Sequence, residues 1–178
     1  MLEAAVAVAS RDGQASVTYR SVADAAGVAH SLVRHYFGSR HALLREALLL
    51  QSRRDIAALV DPDESLDGFL GHLESQVLDE EGRHDLTRLL IYDFILAGIR
   101  GEYEIEPIRD QHELSVEGIT ARLHDLGIPD PDGSLARLVI AVTDGLVLQH
   151  MMLSNPTHTS GILARLRDLL RLAAADAR

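Results

Sequence analysis

The chain of 178 residues contains no cysteine, no tryptophan, three Phe and four Tyr, and its 17 basic residues are all Arg. Lacking cysteine, it has no disulfide framework, no thiolate nucleophile and no Cys-ligated zinc. With so few aromatics its core must be aliphatic, built from Leu, Ala, Val and Ile, which points to an all-α protein. No run reaches the roughly 20 apolar residues of a membrane span, and no charged-then-apolar leader resembles a signal peptide. A cytoplasmic protein with no membrane partner is expected. Nine His are present, yet no His-x-x-x-His pair puts two of them on one helix face. His112 and His124 lie about 120° apart around a helix. Gly-x-Ser-x-Gly and phosphate-cradling loops are also missing. Neither catalytic residues nor a metal or cofactor are expected, which leaves an all-helical enzyme as a weak alternative.

The acidic excess is unevenly placed. Net charge is −10, but residues 1–54 hold seven Arg against Glu3, Asp12, Asp24 and Glu46, giving +3, and residues 55–178 hold ten Arg against 23 acids, giving −13. A small DNA-binding head on an acidic body has this distribution, as does an ordinary acidic domain beside a neutral one. The length suits one or two small domains with a real core.

The stretch from Thr18 to Leu44 carries the densest signal. Thr18 offers a side-chain oxygen to the free amides of a helix starting at Tyr19, and Gly27 can take the left-handed conformation that ends it. Val22, Ala25 and Ala26 give that helix an apolar side. Val28 plugs the turn, and a second helix from about His30 to Tyr36 turns Val33 and Phe37 inward. Ser39 is placed to cap a third helix with Leu43, Leu44, Ala47 and Leu48 at three-and-four spacing. Two short helices joined by a Gly-containing turn set the second into a major groove. Ala29, His30, Ser31 and Leu32 then lie where base edges would be, and Arg34, His35, Tyr36 and Arg40 can donate to phosphates.

The pattern Thr18, Val22-Ala23, Ala26-Gly27-Val28, His35-Tyr36-Phe37, Ser39-Arg40 and Leu43-Leu44 resembles the TetR family of transcriptional regulators over about 27 residues. The resemblance implies that Thr18 caps the first motif helix, that Ala29 to Leu32 face bases, and that Arg34, His35, Tyr36 and Arg40 occupy phosphate-contacting positions. Three positions depart from the family pattern. Ala29 stands where a capping Ser or Thr is usual, Arg34 where Tyr is common and Arg40 where Lys is common. The missing cap costs about 1 kcal/mol of helix stability. Ahead of the motif, Leu2, Ala5, Val6 and Ala9 form one short helix before Gly13, with only Arg11 as a basic residue; either the start is truncated or the head makes fewer phosphate contacts, and both weaken binding and flatten its salt dependence.

A head of residues 1–44 and a helical body of residues 45–178 are expected. Ala42 to about Val60 reads as one helix, ended by Asp61-Pro62-Asp63, with Ser65 capping a neighbour that carries Phe69, Leu70, Leu73 and Val77. Glu80-Glu81-Gly82 reads as a surface turn. Arg88 to Ile99 is apolar on nearly every side, which predicts a central helix. Within it Asp93 either joins a hydrogen-bond network or lines a ligand cavity with Tyr92 and Phe94. Pro107 suits the first turn of a helix to about Leu126, and Asp125 to Gly133 is the clearest loop. A very apolar helix follows from Ser134 to about Leu153, ended by Asn155-Pro156. The last helix runs from about Ser160 to Ala175.

Those two terminal helices carry more apolar surface than one small body needs, so a homodimer is expected, with Leu146, Leu163, Leu166 and Leu170 as interface candidates. Two-fold symmetry would place two reading helices about 34 Å apart on a near-palindromic operator. The resemblance implies nine or so helices, a dimer bundle from the final pair and a cavity for a small-molecule effector. It also implies repression relieved by that effector. A ligand-binding protein of the same fold that does not bind DNA is the alternative.

Overall fold

The computed structural model describes residues 1–59, 65–77, 86–102 and 104–176; for residues 58, 59, 86–90 and 176 only the backbone is described. The turn expected at Glu80-Glu81-Gly82 and the helix stop at Asp61-Pro62-Asp63 lie outside the described residues. The fold is all-α. Among the described residues there are nine α-helices, one 3-10 turn and no strand. In order they are α1 (Leu2–Asp12), the 3-10 turn (Gln14–Ser16), α2 (Tyr19–Ala26), α3 (His30–Phe37), α4 (Arg40–Leu59), α5 (Leu66–Val77), α6 (Leu86–Ile99), α7 (Glu106–Asp125), α8 (Ser134–Leu153) and α9 (Pro156–Asp176).

The helices form two compact units, residues 1–54 with 85–111, and residues 55–84 with 112–178. α4 and α7 each run from one unit into the other, and the division expected at residue 44 falls inside α4. The first unit closes over Ala5, Val8 and Ala9 of α1, Val17, Val22 and Ala23 around α2, Val33 of α3, Leu43, Leu44, Ala47 and Leu48 of α4, and Phe94 of α6. Apart from Phe94, each contributor is small or branched, so the short helices approach closely. Truncating a fully buried member such as Leu43 would cost about 2–5 kcal/mol. Over residues 91–99 α6 is one-sided: Phe94 and Ala97 are buried while Leu96 and Ile99 are exposed. The near-uniform apolarity that predicted a central helix does not say which sides find partners.

The second unit has its own core. Phe69, Leu70 and Leu73 of α5 meet Val116, Ile119 and Leu123 of α7, Ile128, Ala136 and Val139 at and after the α7–α8 loop, and Leu166, Leu170 and Ala174 of α9. α8 is long and apolar enough to pass for a membrane span by length and composition, with mean hydropathy 1.3. It carries Arg137 and Asp144, and its inner face packs against α5 and α9.

Helix ends account for two further features. α8 has no side-chain cap from Gly133, yet its first three amides are all satisfied: Ser134 N–H donates to Asp132 (3.0 Å), and Leu135 and Ala136 N–H donate to the two carboxylate oxygens of Asp130 (both 2.9 Å). Asp130 is buried, so the loop folds inward to reach the helix end. α9 begins at Pro156, four residues before the expected start. The reason is local. Asn155 accepts the His158 N–H at 3.1 Å as an N-cap, and proline's fixed φ suits the first helical position. What ends α8 is Ser154, in the left-handed conformation at φ 47°.

Candidate nucleic-acid interface

The site is built from α2, α3 and the first turn of α4. Thr18 caps α2 as expected: its hydroxyl oxygen accepts the Ser21 N–H at 3.0 Å, and the Ser21 hydroxyl oxygen accepts the Thr18 N–H at 2.9 Å. This reciprocal capping box satisfies two orphan amides at once. Ser21 also donates to the Ser16 carbonyl at 2.6 Å, tying the helix start to the 3-10 turn. At the other end Gly27 is left-handed (φ 66°, ψ 34°), and the Val28 N–H reaches back to Ala23 at 3.0 Å. The Gly27 N–H bonds Asp24, which completes a Schellman stop. Val28 then folds against the core of the first unit.

α3 is held by little of itself. Ala29 gives its first turn no side-chain cap, Val33 is fully buried and Phe37 half-buried. His30, Ser31, Leu32, Arg34, His35 and Tyr36 are all exposed, as is Ala29, with Tyr36 67% and Leu32 39% accessible. A helix that buries two of eight residues presents nearly its whole circumference, and here that surface is cationic, polar and aromatic. His35 and Tyr36 pack edge to face, ring centroids 6.0 Å apart.

Arg40 stands apart within the set of expected phosphate donors. Its Nε donates to the Val17 carbonyl at 2.6 Å and its Nη2 to the Gln14 carbonyl at 2.5 Å, so the guanidinium braces the 3-10 turn from the start of α4. Ser39 caps α4, accepting the Ala42 N–H at 3.0 Å. Within the same turn, His41 stacks on Phe94, rings 4.9 Å apart and 3° from parallel. Burial pushes the His41 imidazole below its ordinary value, and the Arg45 charge pushes the same way.

The three expected pocket residues do not converge. Tyr92 is half-buried, Asp93 is exposed and Phe94 is in the first unit's core against His41. Consecutive residues of a helix point about 100° apart, so three in a row cannot share one wall. The expected interface residues face inward in the single chain. Leu146, Leu163, Leu166 and Leu170 are all buried within the protomer itself. What α8 and α9 leave exposed is Leu138, Leu148, Met152, Leu153, Leu169 and Leu172.

Sequence reasoning missed Tyr19, whose hydroxyl donates to the Gly38 carbonyl at 3.0 Å, and the brace made by Arg40. Ser21, three residues after a capping Thr, was a readable signal; the long-range bonds left none.

Residues 1–47 match the family model described as bacterial regulatory proteins of the tetR family. Residues 64–173 match the tetracyclin repressor-like C-terminal domain. The HTH-type transcriptional regulator BetI of Agrobacterium fabrum is 29% identical over 175 residues, covering 94% of this chain and 83% of the relative. Among solved structures, a transcriptional regulator from Rhodococcus sp. Rha1 is similar at a TM-score of 0.69 and 24% identity, covering 95% of this chain and 92% of that one. A protein from Saccharomonospora viridis, solved in complex with choline, is similar at a TM-score of 0.65 and 20% identity, covering 96% and 93%.

Proposed function

Because this chain belongs to the TetR family of transcriptional regulators, we propose that it binds a near-palindromic operator as a homodimer and represses transcription until a small molecule releases it. The observation that carries the proposal is α3, a helix with Val33 and Phe37 turned inward and every other residue exposed. Ala29, His30, Ser31 and Leu32 are assigned to base edges, where an imidazole or hydroxyl can exchange hydrogen bonds and Leu32 can meet a thymine methyl. Arg34, His35 and Tyr36 are assigned to phosphates. Thr18, capping α2, is assigned to the DNA-backbone edge of the motif. Arg40, with Nε and Nη2 on carbonyls, reaches a phosphate through Nη1 or by letting go of the 3-10 turn.

The dimer is assigned to the outward stripe of α8. Leu138, Ala141, Gly145, Leu148 and Met152 recur at three-and-four spacing, the period of a helix-packing seam. Leu138, Leu148 and Met152 are 48%, 46% and 73% accessible in the single chain. Leu169 and Leu172 extend the apolar surface on α9. A small-molecule effector is supported by the choline complex of the Saccharomonospora viridis protein. Its action here is a population shift: a ligand that binds one arrangement of the dimer better lowers operator affinity by that difference in binding free energy.

The test is to titrate the purified protein against a random duplex pool at two salt concentrations while measuring its mass in solution. A dimer enriching a near-palindrome is the expected result. Replacing Arg34 and His35 with Ala should weaken binding to every duplex about 10- to 1,000-fold and reduce the salt slope of the dimer by about 2, one for each Arg34. Changing His30 or Ser31 should instead alter which duplex is preferred. Equal effects of the two kinds of change would contradict the assignment, and salt-sensitive binding without enrichment would favour a ligand-binding protein that has the fold alone.

A further inference from the structure

We infer that Tyr19, a residue of α2, determines DNA sequence preference from behind the reading helix: it holds α3 at both ends and sets the orientation in which His30 meets a base pair. The inference rests on the reading of α3 given above. Tyr19 is half-buried, and its ring packs against the first unit's core, so it is a fixed point. Its hydroxyl donates to the Gly38 carbonyl at 3.0 Å, just past the C-terminal end of α3, where the last carbonyls have no donor within the helix. Its ring meets the His30 ring edge to face, centroids 6.1 Å apart and planes at 76°. One side chain from the neighbouring helix thus touches the first residue of α3 and the residue that closes it.

That contact matters because of what α3 lacks. Ala29 supplies no side-chain cap, so the first turn, which contains His30, is closed locally by backbone alone, the Leu32 N–H donating to the Ala29 carbonyl at 2.9 Å. An exposed imidazole on an uncapped turn samples several orientations, and a base-edge hydrogen bond tolerates few of them. Edge-to-face packing on a half-buried ring held against the core selects one. Tyr19 is therefore a positioning residue: it acts through His30 and need not touch DNA.

The experiment uses the full-length protein and the variants Tyr19→Phe, Tyr19→Leu and His30→Ala. Each is equilibrated with a randomised duplex pool, its preference profile is counted, and its affinity for the best and for a scrambled duplex is titrated. Helix content and melting are followed by circular dichroism. His30→Ala identifies the base pair read by His30 as the position where preference collapses. Tyr19→Phe keeps the ring and loses only the hydroxyl bond, so it should weaken all duplexes about two- to ten-fold with the profile unchanged. Tyr19→Leu should flatten preference at the His30 position toward that of His30→Ala while other positions keep theirs. If Tyr19→Leu fails to fold, Tyr19→Met, closer in volume and also without a ring, is read in the same way. A Tyr19→Leu or Tyr19→Met variant that melts lower and binds every duplex more weakly, with the His30 position still fully discriminated, overturns the inference and leaves α3 as the reading helix. A His30→Ala profile identical to that of the unaltered protein overturns both.

Discussion

α3 and α8 each leave a broad face exposed, and they differ in chemistry and in how they are held. α3 has eight residues, no side-chain cap at its start, and an outward surface of His30, Ser31, Arg34, His35 and Tyr36. α8 has twenty, its first three amides bonded to Asp130 and Asp132, and an outward stripe of Leu138, Ala141, Gly145, Leu148 and Met152. An aliphatic stripe gains free energy against another aliphatic surface, at about 25 cal/mol per Å² removed from water. A cationic and polar helix gains little there and much beside phosphates. The short helix is oriented by residues outside itself, Tyr19 among them, whereas the long one is anchored by its own loop. The surface proposed to read DNA and the one proposed to assemble are thus supported differently.

The strongest way to break the comparison is to put charge on the assembling face. Leu148→Glu with Met152→Glu should halve the mass in solution and lower operator affinity about 100-fold or more, the factor lost when two linked heads become independent. The preference profile of what binding remains should be unchanged; a variant that stays dimeric would remove the stripe from the interface. Next in size is uncapping α8. Asp130→Ala leaves two amides in a buried setting without acceptors and should cost about 2–3 kcal/mol, lowering Tm by about 5–10 °C in a thermal melt. The converse change sharpens the contrast. Ala29→Ser gives α3 the cap it lacks and should add about 0.5–1 kcal/mol to stability, measured by denaturant unfolding; no gain would show that Tyr19 and Val33 already hold the first turn.

The smallest effect concerns Glu113, exposed on α7, which accepts Arg137 of α8 at 2.7 and 3.1 Å. The hydrogen bond from Arg137 holds its carboxyl below the ordinary 4.5, helped by the charges of Arg137 and His112. Because the folded-state value is depressed, the pair's contribution is present above pH 4.5 and is lost as pH falls through the lower folded-state value. A carboxyl NMR titration should find Glu113 titrating below its ordinary value, and Arg137→Ala should move it back up.

Local chemistry made much of the head readable. Thr18, Gly27 and Ser39 act on amides and carbonyls within five residues of themselves, so their roles follow from the stretch that contains them. The bond from Tyr19 to Gly38 spans 19 residues, and those from Arg40 span 23 and 26. No pattern in the chain announces them, because each depends on where two separate turns come to rest. In the body, Asp125 to Gly133 reads plainly as a loop, yet nothing in its composition says that Asp130, rather than Asp125 or Asp132, turns inward.

The apolar helices show the same limit most clearly. α8 carries an inner set, Ala136, Val139, Leu146 and Val147, and an outer set, Leu138, Leu148 and Met152, both at helical spacing and equally apolar. The sequence by itself determined that this is an all-α protein with a capped, glycine-punctuated helix-turn-helix and an aliphatic core, since propensity, capping and periodicity act over one or two turns. Which stripe of α8 is buried, where Arg40 points and what holds α3 were decided only by tertiary structure. Those outcomes depend on which surfaces meet first in space, and apolar contact carries no label for its partner.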